Sequence, residues 1–144
     1  MIIQNAQRLQ RLAEQLLALQ RRLEAGSGDT SHIREGLEEV ARRVGVDLDV
    51  LRIAHPDTVV EVLSPDGGGD PGKLWAAGEV LYLEGVRALA EDQLHTGRSA
   101  LVKARLLLQA LDSDLALPEG AHPVELRLEE LNQLLTSPGR EASS

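Results

Sequence analysis

Residues 71–94 read PGKLWAAGEVLYLEGVRALAEDQL, and this stretch decides how the rest of the chain must fold. Placed on a helix at about 100° per residue, its side chains are apolar or small on almost every side. A helix with so little polar surface has to be covered by neighbouring helices on most sides. We therefore predict a central helix here, ending near Thr96-Gly97. Glu79 and Asp92 lie apart from its one narrow charged stripe, which consists of Lys73, Glu84, Arg87 and Glu91.

The only two aromatic residues of the chain, Trp75 and Tyr82, lie seven positions apart on one face of this helix. Leu89 extends the same face by a further two turns. This face is a candidate surface for binding a partner protein, and the alternative is that both aromatics belong to the core. Small residues on the helix leave places where a second helix can approach closely, namely Ala77, Gly78, Gly85 and Ala88.

The composition is that of one helical domain. A chain of 144 residues with 42% hydrophobic and 26% charged residues is long enough to bury a single core. With one Trp, one Tyr and no Phe, that core must be aliphatic, and its leucine and alanine favour helices. The formal charge of −8 disfavours a nucleic-acid partner, since phosphate contacts need an excess of Lys and Arg.

Two further features of the composition concern location and redox chemistry. The absence of cysteine excludes disulfides, thiolate metal sites and cysteine nucleophiles. The N-terminal residues lack the pattern of a signal peptide, and no uncharged stretch approaches the roughly 18 apolar residues of a membrane helix. We therefore expect a cytoplasmic protein that does not bind membranes.

The N-terminal stretch, residues 2–25, has the repeat of an amphipathic helix. Its apolar residues recur at alternating steps of three and four, as in a coiled coil. They include a leucine seam that consists of Leu9, Leu12, Leu16, Leu19 and Leu23. This seam either pairs two copies of the chain or packs against the chain's own helices. Because it is at most three heptads long and is widened by neighbouring alanines, the second interpretation is favoured.

Caps and stops mark the other helices. Gly45 suits the left-handed position that ends a helix, and Asp47 is suited to begin the next one. Residues 57–64 contain three valines, which favour a strand, but no partner strand is evident, so we predict a short helix begun by Asp57. The predicted order is a hairpin over 2–44, short helices over 47–64, a central hairpin over 71–112 with its second helix from Ser99, and a C-terminal helix over 123–136.

One motif resembles a phosphate-binding loop. Residues Gly67–Lys73 satisfy the spacing G-x-x-x-x-G-K. However, Leu74 occupies the position of the hydroxyl that would hold magnesium, and Pro71 removes one backbone N–H from the cradle. No sheet is predicted from which such a loop could extend. The segment is better interpreted as a flexible loop before a helix that begins with proline, and nucleotide binding remains a remote alternative.

No other pattern predicts catalysis, a cofactor or a metal. The four histidines lie at helix ends or in loops without the spacing of metal ligands; they are His32, His55, His95 and His122. The paired acids fall at helix starts, where negative charge interacts favourably with the helix dipole, or on solvated faces. The serines fit caps and turns, and no nucleophile elbow is present. We therefore expect neither an enzyme nor a bound cofactor.

The stretch 81–117, LYLEGVRALAEDQLHTGRSALVKARLLLQALDSDLAL, resembles a tetratricopeptide (TPR) helical hairpin. The resemblance rests on small residues at matching positions of its two helices, namely Gly85, Ala88, Ala100 and Ala104. It departs from the motif at Glu84, where leucine is usual, and in a connection about three residues longer. Residues 9–44 resemble a second, more degenerate hairpin, without the regular 34-residue period.

Two further segments, Val44–Leu51 (VGVDLDVL) and Asp70–Leu74 (DPGKL), resemble the turns of a family of small bacterial all-helical proteins. That family has TPR-like hairpins and no assigned activity. The resemblance covers most of the chain, and because its motifs are caps and turns, it implies an architecture without a mechanism.

Together these observations predict an all-α fold of antiparallel helical hairpins, a TPR-like bundle forming one domain over residues 1–137. Residues 138–144 are expected to be a disordered tail. The expected function is a non-catalytic protein–protein interaction or scaffolding module, with a protein partner bound in an aliphatic groove or on a helix face. The alternative is a structural homodimer joined through the N-terminal helix.

Overall fold

The computed structural model describes residues 2–26, 30–63, 71–111, 117–118 and 121–136, with side chains from residue 7 in the first range and from residue 31 in the second. Within these ranges the chain forms seven α-helices, one 3-10 turn at Pro56–Thr58 and no strand. The helices are α1 (Ile2–Ala25), α2 (Thr30–Arg43), α3 (Leu48–Ile53), α4 (Val59–Leu63), α5 (Pro71–Ala90), α6 (Leu94–Gln109) and α7 (Val124–Thr136). The predicted all-α fold class is confirmed.

Helix α5 is the centre of the bundle. It contacts α1, α2, α4 and α6, and 14 of its 20 residues are buried. The buried residues include Glu79, Glu84 and Arg87, so most of the predicted charged stripe faces other helices instead of solvent. The prediction of a central, covered helix is therefore confirmed, and its charged residues need buried partners.

Helices α1 and α2 form an antiparallel hairpin against α5. Near one end the backbone of Gly36 lies against the side chain of Leu19, and near the other Arg8 donates to the carbonyl of Arg43. Gly45 ends the hairpin with φ of +75°, as its sequence position predicts. The following N–H of Val46 donates to the carbonyl of Ala41 at 2.8 Å, which closes the last turn of α2.

The short helices follow the predicted caps with one correction. The side chain of Asp47 accepts a hydrogen bond from the N–H of Asp49 at 2.9 Å and begins α3. Residues 57–63 are helical, as predicted, because no second strand exists in the described chain to pair with their valines. However, the cap of this segment is His55 and not Asp57: His55 Nδ1 accepts from the N–H of Asp57 at 3.1 Å.

The connection between α5 and α6 corrects the predicted boundary near Thr96-Gly97. Helix α5 ends at Ala90, and Asp92 adopts a φ of +63° before α6 begins at Leu94. Gly97 therefore lies inside α6. A Cβ atom at Gly97 would lie 2.9 Å from the carbonyl oxygen of Gly85, so its glycine serves close helix packing and not termination. The connection shortens to residues 91–93.

Helix α7 begins at Val124, within one residue of the predicted start, and packs antiparallel against α6. Arg98 of α6 donates to the carbonyl of Leu135 at 3.0 Å, while Leu108 at the other end lies beside the start of α7. None of the described helices has the length and apolar character needed to cross a membrane. The predicted loop from Gly67 and the predicted tail over 138–144 lie outside the described residues, except for Pro71 to Lys73 in the first turn of α5.

Candidate functional site

The face formed by Trp75, Tyr82 and Leu89 is largely inside the protein. Trp75 is 1% exposed, while Tyr82 and Leu89 are half-buried. Trp75 lies beside a space between α5, α1 and the start of α7 and is almost fully buried, so the candidate partner-binding face is corrected: Trp75 is a core residue. Leu89 lies against Gly97 of α6. A partner could reach at most the exposed parts of Tyr82 and Leu89.

The leucine seam of α1 also faces the chain's own core. Leu12, Leu16 and Leu19 are buried, and Leu9 and Leu23 are partly buried against the same core. Helix α1 contacts α2 and α5, which account for this cover. The seam therefore packs within the chain, as the favoured interpretation of the sequence stated, and its side chains are not displayed for a second copy.

Behind Trp75 lies a cavity of about 260 Å³ between α1, α5 and the start of α7, which we call the inner cavity. Its lining mixes six apolar residues with five whose side chains carry polar groups. The lining residues are Ala13, Leu16, Leu17, Gln20, Trp75, Glu79, Leu83, Ala121, His122, Pro123 and Arg127. This lining is more evenly mixed than that of a usual small-molecule site, which is predominantly apolar.

Arg127 organises the polar side of the inner cavity. Its Nε and one terminal nitrogen donate to the two carboxylate oxygens of Glu79 at 2.8 and 3.0 Å. The same guanidinium donates to Gln20 Oε1 at 3.0 Å and to Glu130 Oε1 at 2.8 Å. Burial is the largest single influence on Arg127 and lowers its pKa, but the hydrogen bonds and charge of Glu79, together with Tyr82 and Glu130, raise the pKa by more. One arginine thus joins α1, α5 and α7.

Tyr82 lies beneath this arginine. The guanidinium carbon of Arg127 is 4.0 Å from the centroid of the tyrosine ring, which is the geometry of a cation–π contact. Burial raises the pKa of Tyr82 above its ordinary value of 10.0, and the nearby arginine cation only partly opposes this effect. Tyr82 is therefore a neutral contact surface at neutral pH and not a candidate base.

Two further polar side chains line the inner cavity without a hydrogen bond to Arg127. The indole N–H of Trp75 has no hydrogen-bond partner among the described residues. His122 Nε2 lies 3.0 Å from Glu130 Oε1, a contact that is an ion pair only when the imidazole is protonated. Buried indole N–H groups usually find an acceptor, so the unpaired donor of Trp75 is an unusual feature of this core.

A second buried polar cluster joins α3 to α5 and α6. Glu84 Oε1 accepts hydrogen bonds from Arg52 at 3.2 Å and from Arg87 at 3.1 Å. Burial is the largest single influence on Arg87 and lowers its pKa, but the hydrogen bonds to Glu84 and Glu91 and the charges of these two carboxylates together raise it by more, so the net pKa is raised. Glu84 occupies a position where the TPR hairpin has leucine, and these two arginines explain how a carboxylate is tolerated there.

Lys103 of α6 belongs to the same side of the bundle. Its ammonium donates to the carbonyl oxygens of Leu51 at 2.9 Å and Arg52 at 2.7 Å, at the C-terminal end of α3. A cation at this end of a helix satisfies carbonyls that lack a partner in the helix itself. Burial lowers the pKa of Lys103. These contacts are internal and hold α3, α5 and α6 together, although Glu84 Oε2 and Arg87 Nε are buried without a hydrogen-bond partner among the described residues.

An open groove of about 570 Å³ lies at the other side of residues 121–123, between the end of α6 and the start of α7. We call it the α6–α7 groove. Apart from one glutamine and one glutamate its lining is apolar, and it consists of Leu108, Gln109, Leu111, Leu117, Pro118, Ala121, Pro123, Val124, Glu125 and Leu128. Several of these apolar side chains keep part of their surface exposed.

Apart from Tyr82, sequence reasoning named none of the residues around Arg127 as functional. One signal was present: Arg127 lies on the same helical face as Val124, Leu128 and Leu131, where an apolar residue is expected. A charged residue in an apolar stripe needs a buried counter-charge, and Glu79, apart from the charged stripe of α5, was its candidate. The pairing itself depends on how α5 and α7 meet.

Within the described ranges, no three acidic or histidine side chains come close enough together to hold a metal ion. Lys73 of the loop motif is half-buried in the first turn of α5. Comparison with family models, with curated proteins and with solved structures found no match to this chain.

Proposed function

We propose that this chain is a non-catalytic interaction module whose α6–α7 groove binds an amphipathic, basic segment of a partner protein. The observation that carries the proposal is the groove itself, an apolar depression of about 570 Å³ that the chain's own described helices leave open. Its volume lies within the range of roughly 300–1,000 Å³ that is usual for binding clefts. Apolar side chains of a helical or extended partner segment fit such a surface.

The charge around the groove favours a basic partner. No lysine or arginine is among the described residues that line the groove, and Arg127 of α7 is buried against Glu79. Among the described carboxylates, Glu125 lines the groove and Glu129 is exposed on the same helix. Complementary charge steers association and excludes acidic partners. Lysine or arginine beside the apolar anchors of the partner supplies that complement.

The two other functions suggested by the sequence have no comparable support. Self-association through the leucine seam would need side chains that already pack against α2 and α5. Nucleotide binding would depend mainly on residues 67–70, which lie outside the described chain. The groove, by contrast, is built from described residues and is open to solvent.

The test uses a fluorescent synthetic peptide with leucines on one helical face and lysines on the other, and a control peptide with glutamate in place of each lysine. Binding is measured by fluorescence anisotropy at low and high salt. We expect the lysine peptide to bind, the glutamate peptide to bind at least tenfold more weakly, and added salt to reduce the difference.

Two leucines of α7 provide a matched pair of variants. Leu128 lines the groove and is half-buried, whereas Leu126, two residues earlier, is 49% exposed and does not line it. We expect Leu128→Lys to weaken peptide binding roughly tenfold and Leu126→Lys to leave it within about twofold. Far-ultraviolet circular dichroism establishes that both variants fold. Equal effects of the two substitutions, or equal binding of both peptides, would refute the proposal.

A further inference from the structure

We infer that a pocket between α1 and α2 binds a compact, doubly charged phosphate group, either inorganic phosphate or the phosphate of a small monoester. We call it the arginine pocket. It is lined by Gln7, Arg8, Arg11 and Leu12 of α1 and by Arg43 at the end of α2. The arginine pocket is separate from the α6–α7 groove and does not depend on the function proposed for that groove.

The hairpin of α1 and α2 builds the arginine pocket. Its residues from α1 lie on one side of the helix, because positions three and four apart share a helical face. The antiparallel helix α2 brings its last residue, Arg43, to the same place. Leu12 belongs to the core, whereas the polar residues of the pocket are exposed. The pocket is therefore an open depression of about 380 Å³ with room for a phosphate group and a short organic chain.

The charge of the arginine pocket is opposite to that of the whole chain. The protein has a formal net charge of −8, yet the described lining of the pocket contains three arginines and no carboxylate. Arg11 makes no hydrogen bond or ion pair with the described residues. Cations that line one pocket repel one another, and an anion among them removes this repulsion. A guanidinium also matches two phosphate oxygens with two parallel hydrogen bonds.

The end of α2 opposes an anion only weakly, because its carbonyl groups are occupied. The last four carbonyls of a helix lack intrahelical partners and carry a partial negative charge. Here the N–H groups of residues 44–46 donate to the carbonyls of residues 40–42, and Arg8 donates to the carbonyl of Arg43. Glu39 pairs with Arg43 at 3.0 Å. Both arginines are thus held at the pocket, and each guanidinium has five N–H groups, so donors remain for a ligand.

The size and kind of the ligand follow from what surrounds the pocket. Since the pocket holds three of the 15 basic residues, the remaining 12 are outnumbered by 23 acidic ones. A long polyanion would extend into this negative surface, whereas a single phosphate stays among the arginines. The described lining has no aromatic side chain on which a nucleobase could stack. A phosphate dianion gathers two charges on one group, which several guanidiniums can contact together, unlike a single carboxylate.

The experiment titrates the protein with glycerol phosphate, inorganic phosphate, dimethyl phosphate and glycerol at pH 8 and constant ionic strength, and follows ¹H–¹⁵N correlation spectra. We expect the first two to move the amide cross-peaks of residues 7–12 and 43 in a saturable manner. Dimethyl phosphate has one charge and should bind at least tenfold more weakly, and glycerol should move no cross-peak. Tighter binding of glycerol phosphate than of inorganic phosphate would identify a monoester as the ligand, and equal or weaker binding would identify the free ion.

The charge of the phosphate gives a second readout. The second pKa of a phosphate monoester is about 6, so at pH 5 only about a tenth of it carries two charges. Glycerol phosphate should therefore bind roughly tenfold more weakly at pH 5 than at pH 8. Sulfate is doubly charged at both pH values and should bind about equally, which controls for changes in the charge of the protein. An equal pH dependence of the two anions would contradict a site for the phosphate dianion.

Two arginines of α1 provide matched variants. Arg11→Gln removes a guanidinium without a contact in the described fold, and Arg21→Gln removes the same charge from an exposed position about 15 Å further along the helix. We expect Arg11→Gln to weaken the binding of glycerol phosphate roughly tenfold and Arg21→Gln to change it less than about twofold. Equal effects of the two substitutions, or no saturable shift at residues 7–12 in the unmodified protein, would overturn the inference.

Discussion

Arg127 is the residue whose removal should disturb this protein most at neutral pH. Arg127→Met keeps much of the side-chain volume but leaves Glu79 buried without its two charge-assisted hydrogen bonds, since both carboxylate oxygens bond to this arginine. The side chain of Glu79 is 5% exposed, so water from the inner cavity can replace the lost partner only in part. Removing one partner of such a pair costs about 3–5 kcal/mol.

The loss of stability in Arg127→Met has an upper limit, because Glu79 can take up a proton instead of remaining charged. Protonating an exposed glutamate at pH 7 costs about 3.7 kcal/mol, and this cost falls by about 1.4 kcal/mol for each unit that the pH is lowered. In the variant the folded state would bind a proton that the unfolded chain does not, so its stability relative to the unmodified protein falls as pH rises. We expect a loss of about 4 kcal/mol at pH 7 and less than half of that at pH 5.

The assay is urea denaturation followed by the fluorescence of the single tryptophan, at pH 5 and pH 7. Glu79→Gln in the Arg127→Met background should recover most of the loss at pH 7, because the buried charge is then absent. Arg43→Met is the matched control: Arg43 pairs with Glu39 at 3.0 Å with both side chains about half exposed, and such pairs are worth at most about 1 kcal/mol. A loss below 1 kcal/mol, or one that is equal at both pH values, would refute this reasoning.

Two more predictions concern single contacts. Burial raises the pKa of Tyr82, the single tyrosine, so its absorbance should titrate with a midpoint above 10.0 in the folded protein and near 10 in urea. Because the folded protein still holds the phenol proton at a pH where the unfolded chain has lost it, the free energy of unfolding should fall as pH rises above 10. Equal midpoints would contradict the assigned burial. Gly97→Ala would place a Cβ atom 2.9 Å from the backbone oxygen of Gly85, so urea denaturation should show a loss of about 1–2 kcal/mol despite the higher helix propensity of alanine. Gly36→Ala, which meets only the flexible end of Leu19, is the control and should be neutral or stabilising.

The helices could be placed from the sequence because their signals are local. Gly45 ends α2, Asp47 begins α3 and Pro71 opens α5 through contacts within a few residues of each position. The near-continuous apolar surface of residues 71–94 likewise predicted that α5 is covered by other helices. A helix whose side chains are apolar on almost every side must be buried on almost every side. The strand-like valines of residues 57–63 form a helix, and the described part of the chain contains no strand that could pair with them.

The glycines show where local reasoning fails. Gly97 follows a long helical pattern, at a position where a glycine often ends a helix. Nothing in the sequence distinguishes it from such a helix-ending glycine. It lies inside α6 because the backbone of Gly85 passes within reach of its missing side chain, a contact between two helices. The actual break occurs at Asp92, which adopts a positive φ that non-glycine residues seldom take.

The sequence by itself determined the helix content, the order of the helices and the aliphatic composition of the core. Tertiary structure alone decided which charges are buried together, that Trp75 faces the inner cavity, and that the leucine seam of α1 is covered by its own chain. Arg127 reaches Glu79 from 48 positions away and Gln20 from 107 positions away. Such pairs depend on how three helices meet, and helical periodicity records which side of a helix is buried but not which helix buries it.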